Sequence, residues 1–155
     1  KIRDTDLNSF FREEIDYLTP LVEQNKMSLK QQLPKNNGIS LPIDPYLISR
    51  CVENLVQNAI KFSPREAIIT VSVELTDDKW LFRVEDPGQG LPENKENIFE
   101  LHTSEEENII NHGIGLNFCL LVVEAHQGHI RSYNNRPKGA VFEVEFPLTH
   151  EPYYG

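Results

Sequence analysis

Between residues 44 and 86 the apolar residues change spacing once, from a helical repeat to strict alternation, and that change constrains the fold more than any other feature. Ile48, Cys51, Val52, Leu55, Ala59 and Phe62 recur at three- and four-residue steps and predict a helix over 45–62 with one apolar stripe. Asp44 suits the N-cap of that helix and Pro45 its first position. The pattern then becomes period two. Ala67, Ile69, Val71, Val73 and Leu75 form one strand face. After Thr76-Asp77-Asp78 the run Lys79 to Asp86 alternates again, with Trp80, Phe82 and Val84 on one face. The two strands read as a hairpin.

The remaining segments extend this frame. Residues 9–26 read as a helix carrying Phe10, Phe11, Ile15, Leu18, Leu21 and Val22, which Pro20 is expected to kink or restart. Extended stretches near 28–33 and 39–43 flank the turn residues Pro34 to Gly38. A short helix near 94–101, a polar stretch from Glu105 to His112 and a helix over 114–126 follow. Strands near 129–134 and 140–146 close the chain around the turn Asn135 to Gly139. This order predicts an α/β (α+β) two-layer sandwich: a mixed, mostly antiparallel sheet of about five strands with three main helices on one face. One domain over 1–150 with a tail at 151–155 accounts for the length.

Composition excludes some functions. Fifteen basic against 24 acidic side chains give a net charge of −9, which argues against a nucleic-acid surface. No segment reaches the roughly 18 consecutive apolar residues of a membrane span, so direct membrane contact is not expected. The N-terminus lacks an apolar secretory segment, which suits a cytoplasmic protein or a soluble piece of a larger one. Cys51 and Cys119 both fall in apolar helical patterns and read as buried free thiols in a reducing compartment.

Three places carry chemistry. Asn54, Asn58 and Lys61 stand at i, i+4 and i+7, on one line beside the core stripe. An amide oxygen is a hard ligand suited to Mg²⁺ and a lysine neutralises phosphate, although an ordinary polar helix border has the same pattern. Asp86-Pro87-Gly88-Gln89-Gly90 follows a strand end. It fits either a tight turn or a carboxylate with glycines that admit a flat ligand. Gly113-Ile114-Gly115-Leu116 enters a helix, where exposed N–H groups favour an anion, and an ordinary loop-to-helix junction is the alternative. His126 and His129 read as structural helix-end residues, since no third ligand is spaced near them.

The order of these segments resembles the ATP-binding domain of histidine kinases, within the gyrase, Hsp90, histidine kinase and MutL superfamily. Glu53 to Pro64 looks like the family's N box, Asp86 to Gly90 its first glycine box, and Ile98-Phe99 its F box. Gly113 to Leu116 looks like the second glycine box and Gly139 to Phe142 the last. The resemblance covers residues 6–148 and implies a Bergerat-type fold that binds ATP and Mg²⁺. It implies that Asn58 gives its amide oxygen to the metal, Asn54 supports the phosphates or the metal's waters, and Lys61 reaches the phosphate chain. Asp86 would read the adenine amino group, Gly88 and Gly90 would admit base and ribose, and Phe62 and Ile98 would line the adenine pocket. Residues 101–112 would form a lid, with Gly113 and Gly115 as hinge and anion contact beside Ile114 and Leu116.

Two departures bear on activity. Pro87 stands where the family usually has Asn, and the Glu105-Glu106-Glu107 run makes the lid acidic; both are expected to weaken ATP affinity. The hydrolytic members carry a water-activating Glu one turn before the metal-binding Asn, whereas this chain has Asn54 there. Phosphoryl transfer to a His on a separate helical domain is therefore favoured over hydrolysis. The implied partners are the dimerisation and phosphoacceptor helices of the parent kinase and a response regulator. The alternatives are a degenerate domain of the same fold that binds nucleotide weakly or not at all and serves as an interaction module, supported by Pro87 and the acidic lid, and an anti-sigma-factor-type serine kinase.

Overall fold

The computed structural model describes residues 1–35, 38–91 and 107–148. The elements run β1 (Arg3–Asp6), α1 (Leu7–Gln24), β2 (Ser28–Gln32), β3 (Ser40–Ile43), α2 (Pro45–Phe62), β4 (Ile68–Leu75), β5 (Lys79–Asp86), α3 (Glu107–Ala125), β6 (His129–Asn134) and β7 (Ala140–Pro147). The main sheet has five strands in the order β2-β4-β5-β7-β6. The β2–β4 pair is parallel and the other three pairs are antiparallel. The expected mixed, mostly antiparallel sheet under a helical layer is therefore the observed fold. No helix among the described residues is long and apolar enough to cross a membrane.

Local chemistry sets the helix starts. The Asp44 carboxylate accepts the Leu47 N–H at 3.1 Å, and Pro45 occupies the first turn of α2. The Asp6 carboxylate accepts the Ser9 N–H at 2.9 Å and starts α1 two residues earlier than the apolar repeat predicts. Pro20 lies inside α1 and does not end it. The short strand β1, absent from the sequence reading, pairs antiparallel with β3. Its residues Arg-Asp-Thr-Asp carry no apolar alternation, so only the backbone ladder defines it.

The sheet has one greasy face and one charged face, as the alternation requires. Phe11 of α1 meets Trp80 and Phe82 of β5 at ring-centroid distances of 6.0 and 5.6 Å, and Trp80 stacks on Phe146 of β7 at 4.7 Å. On the opposite face Ser72, Arg83, Glu143 and Arg131 line up in register across four strands. Glu143 is 2% exposed and accepts Arg83 Nε at 2.7 Å together with Arg131 Nε, while Arg83 also reaches Glu74 at 2.7 Å.

Burial works to raise the Glu143 pKa, but the hydrogen bonds from Arg131 and Arg83 outweigh it and hold the group below its ordinary value. A lowered carboxylate pKa means stability that is present above the ordinary value and lost as pH falls through the folded one. Arg83→Met leaves Glu143 with the largely exposed Arg131 alone. It should reduce unfolding free energy by about 2 kcal/mol in urea titrations at neutral pH.

Candidate functional site

The backbone brings the C-terminal half of α2 against the end of β5. Gly88 is the point of closest approach: a Cβ there would sit 2.1 Å from the Phe62 carbonyl oxygen, so only glycine lets the loop seat on the helix end. Asp86 is 3% exposed and its Oδ1 accepts the Gly88 N–H at 2.8 Å. Burial raises its pKa, more than the backbone hydrogen bonds from Gly88 and Ala140 lower it. A carboxylate held short of full hydrogen bonding in a buried position favours a further donor beside it.

The far side of this corner is held by the end of β6 and the turn that follows it. Asn134 Oδ1 accepts the Leu91 N–H at 2.9 Å, and Asn135 Nδ2 donates to the Asp86 carbonyl at 3.2 Å. Gly139 adopts φ +109° and leaves the Asp86 carbonyl oxygen the space that a Cβ would fill. Asn134, Asn135 and Gly139 thus fix the loop that carries Asp86, Gly88 and Gly90. In the sequence Asn134 reads as a strand end, Asn135 as part of a turn and Gly139 as the start of the last glycine box, because the Asn134 and Asn135 partners, Leu91 and Asp86, lie 43 and 49 positions away.

On α2, Asn54 and Asn58 share the line predicted for them. Asn54 faces α3: its Nδ2 lies 3.5 Å from the Gly115 carbonyl, and a Cβ on Gly115 would meet Asn54 at ordinary contact distance. The Asn58 Oδ1 is buried and finds no hydrogen-bond partner among the described residues. An orphaned amide oxygen costs roughly 1–3 kcal/mol, which a ligand would offset. A hard cation is what such an oxygen suits, so the donor present fits Mg²⁺. The Ser63 Oγ, just past the end of α2, is orphaned in the same way. Lys61 is exposed, with Nζ 5.7 Å from the Phe62 ring centroid.

The second glycine segment differs from expectation. The helix predicted over 114–126 runs from Glu107 to Ala125, so Gly113 and Gly115 lie inside α3 with Ile114, and residues 107–112 of the expected lid are helical. Neither glycine opens the helix. A glycine inside a helix costs only about 1 kcal/mol, and no proline interrupts the stretch. Leu116 is buried in the core. Ile98 and Phe99, the short helix near 94–101 and lid residues 101–106 lie outside the described residues.

His126 has the structural role read for it. Its Nε2 accepts the Asp44 N–H at 3.0 Å and its Nδ1 lies 2.8 Å from the Val122 carbonyl, tying the end of α3 to the start of α2. Cys51 and Cys119 are buried free thiols, and the hydrogen bond with Cys119, together with burial, holds the Cys51 thiol well above its ordinary pKa.

Residues 43–150 match the family described as histidine kinase-, DNA gyrase B-, and HSP90-like ATPase. The chain is 31% identical over 152 residues to the adaptive-response sensory kinase SasA of Synechococcus sp. (strain JA-3-3Ab), covering 94% of this chain and 39% of that protein. It therefore spans about two fifths of that relative's length. The nucleotide-free catalytic domain of the histidine kinase ThkA superposes with a TM-score of 0.84 at 27% identity, covering 96% of this chain and 97% of that one. ThkA in complex with the response regulator TrrA gives a TM-score of 0.80 at 26% identity, covering 98% of this chain and 43% of that one.

Proposed function

The chain belongs to the histidine kinase-, DNA gyrase B- and HSP90-like ATPases, as a histidine kinase catalytic domain, and from that membership we propose that it delivers the γ-phosphoryl group of Mg²⁺-bound ATP to a histidine. The acceptor histidine lies on a separate helical domain of the parent protein, and the phosphoryl group passes on to an aspartate of a response regulator. The association of ThkA with a response regulator supports that last partner. Buried free thiols support a reducing, cytoplasmic setting.

The observation that carries this reading is the meeting of α2 with the Asp86 loop at Gly88, which forms one corner from two distant segments. Asp86 accepts a hydrogen bond from the adenine amino group, and Gly88 and Gly90 keep side chains out of the path of base and ribose. Asn58 would hold Mg²⁺ through its orphaned Oδ1, with Asn54 one turn earlier supporting the phosphates and Lys61 reaching the phosphate chain. When bound, the metal neutralises charge on the phosphate oxygens. These residues position the phosphoryl group and offset its charge, which is most of what its transfer requires. Asn54 carries no carboxylate to deprotonate water, and this directs the phosphoryl group to a side-chain acceptor.

Asp86→Asn tests the adenine contact. The Asn amide has one oxygen, so satisfying the Gly88 N–H leaves its NH₂ facing the adenine amino group, donor against donor. Calorimetry should show ADP affinity about 10- to 150-fold weaker, the loss of a buried charge-assisted hydrogen bond worth roughly 1.5–3 kcal/mol. Unchanged ADP binding would remove Asp86 from the site.

A further inference from the structure

Away from this corner, α1 and α2 share a buried acidic contact. Glu14 of α1 is 8% exposed, and its Oε2 lies 2.7 Å from the Ser49 hydroxyl of α2. The same hydroxyl lies 3.1 Å from Glu53 Oε2. The other Glu14 oxygen, Oε1, is buried with no hydrogen-bond partner among the described residues.

Counting hydrogens decides what this contact is. A serine hydroxyl carries one hydrogen, and an ionised carboxylate carries none. Three oxygens in a row make two short contacts, so with both carboxylates ionised one contact has no proton in it. Among the described residues, no cation figures among the groups that shift the Glu14 carboxyl. The basic side chains on α1 and on the elements packed against it are Arg12 of α1, Arg3 of β1, Lys30 of β2, Arg50 and Lys61 of α2, and Lys79 and Arg83 of β5; Arg50 lies against Tyr46 and Phe118, Lys61 against Phe62, and Lys79 and Arg83 pair with Glu145, Glu74 and Glu143. Asp4 and Asp6 of β1 and Glu13, the neighbour of Glu14 on α1, add only negative charge.

We propose that Glu14, Ser49 and Glu53 hold one shared proton that latches α1 to α2, and that its release loosens the contact between them. The helix so latched is the one that carries Asn54 and Asn58, with Asn54 directly following Glu53. Burial raises the Glu14 pKa to about 7; the Ser49 hydrogen bond opposes that rise and Glu53 adds to it. A raised carboxyl pKa stabilises the fold fully below the ordinary value of 4.5 and loses that contribution as pH rises through about 7. The latch is thus closed in mild acid and open in mild base.

Carboxyl ¹³C titration of the wild-type chain should show one glutamate of this pair with a midpoint near 7. In parallel, the wild-type unfolding equilibrium constant should rise on the order of 100-fold more between pH 5 and pH 8 than that of Glu14→Gln, whose amide hydrogens need no titration. Should both glutamates titrate between about 4 and 5, or the variant keep the wild-type pH slope, the latch does not exist. If Glu14→Gln does not fold, the wild-type titration alone decides. Neither measurement involves nucleotide, so failure of ATP binding and failure of the latch are told apart.

Discussion

Gly139→Ala should lower the unfolding free energy by about 4 kcal/mol, at the upper end of single-substitution effects, and abolish nucleotide binding with it. The added Cβ would stand 1.8 Å from the Asp86 carbonyl oxygen, 2.7 Å from its carbon and 2.8 Å from the Pro87 Cα. All three are backbone atoms, so no rotamer change relieves the overlap. The φ of +109° is also one that residues with a Cβ rarely adopt. Relief requires β7 to lift away from β5 at the Asp86–Ala140 pair, which also pulls on the Asn135 hydrogen bond to the Asp86 carbonyl.

Gly38→Ala is the matched control. Gly38 has a positive φ of +75° but nothing within 4 Å of the added atom, so only the left-handed cost of about 1–2 kcal/mol applies. Urea midpoints for the two variants separate the effects. Equal midpoints would show that the β5–β7 corner yields where the geometry says it cannot.

That corner marks the boundary of what the residues reveal before folding. Elements specified by their own repeat were legible: α2 spans Pro45–Phe62 and β5 spans Lys79–Asp86 as the apolar spacing and the Asp44-Pro45 start require. Strand β1 was not legible, because an edge ladder of Arg-Asp-Thr-Asp against β3 leaves no apolar trace. The start of α3 was misplaced because glycines argue for a boundary locally, whereas the helix continues through them. Pro20 does not restart the helix, since the apolar stripe of α1 is buried on both sides of it. For the site, Asn54, Asn58 and Asp86 stood out by residue type and spacing. Asn134 and Asn135 acquire meaning only once β7 lies beside β5, a long-range pairing that local patterns do not encode.

Asn58→Ala should leave stability within about 1 kcal/mol of wild type while reducing phosphoryl transfer by about 10²–10³-fold. The two effects part because of the orphaned oxygen. A structural asparagine in a core border has its hydrogen bonds made, and truncating it costs stability. Asn58 Oδ1 is buried with no partner among the described residues, so deleting it removes a desolvated acceptor rather than a bond. What is lost is a hard oxygen placed one turn beyond Asn54 on the face that meets the Asp86 loop.

Calorimetry with ATP in magnesium and in EDTA reads this directly. Wild-type affinity should be stronger in magnesium, and the variant should bind with the weaker EDTA value in both buffers. ADP binding in EDTA, which draws on Asp86 and the glycines, should be the same for both proteins. A variant that keeps the full magnesium enhancement would take Asn58 out of the metal site. A variant that instead unfolds several kcal/mol more easily would show that its amide holds the helix, and the orphaned oxygen would no longer argue for a ligand.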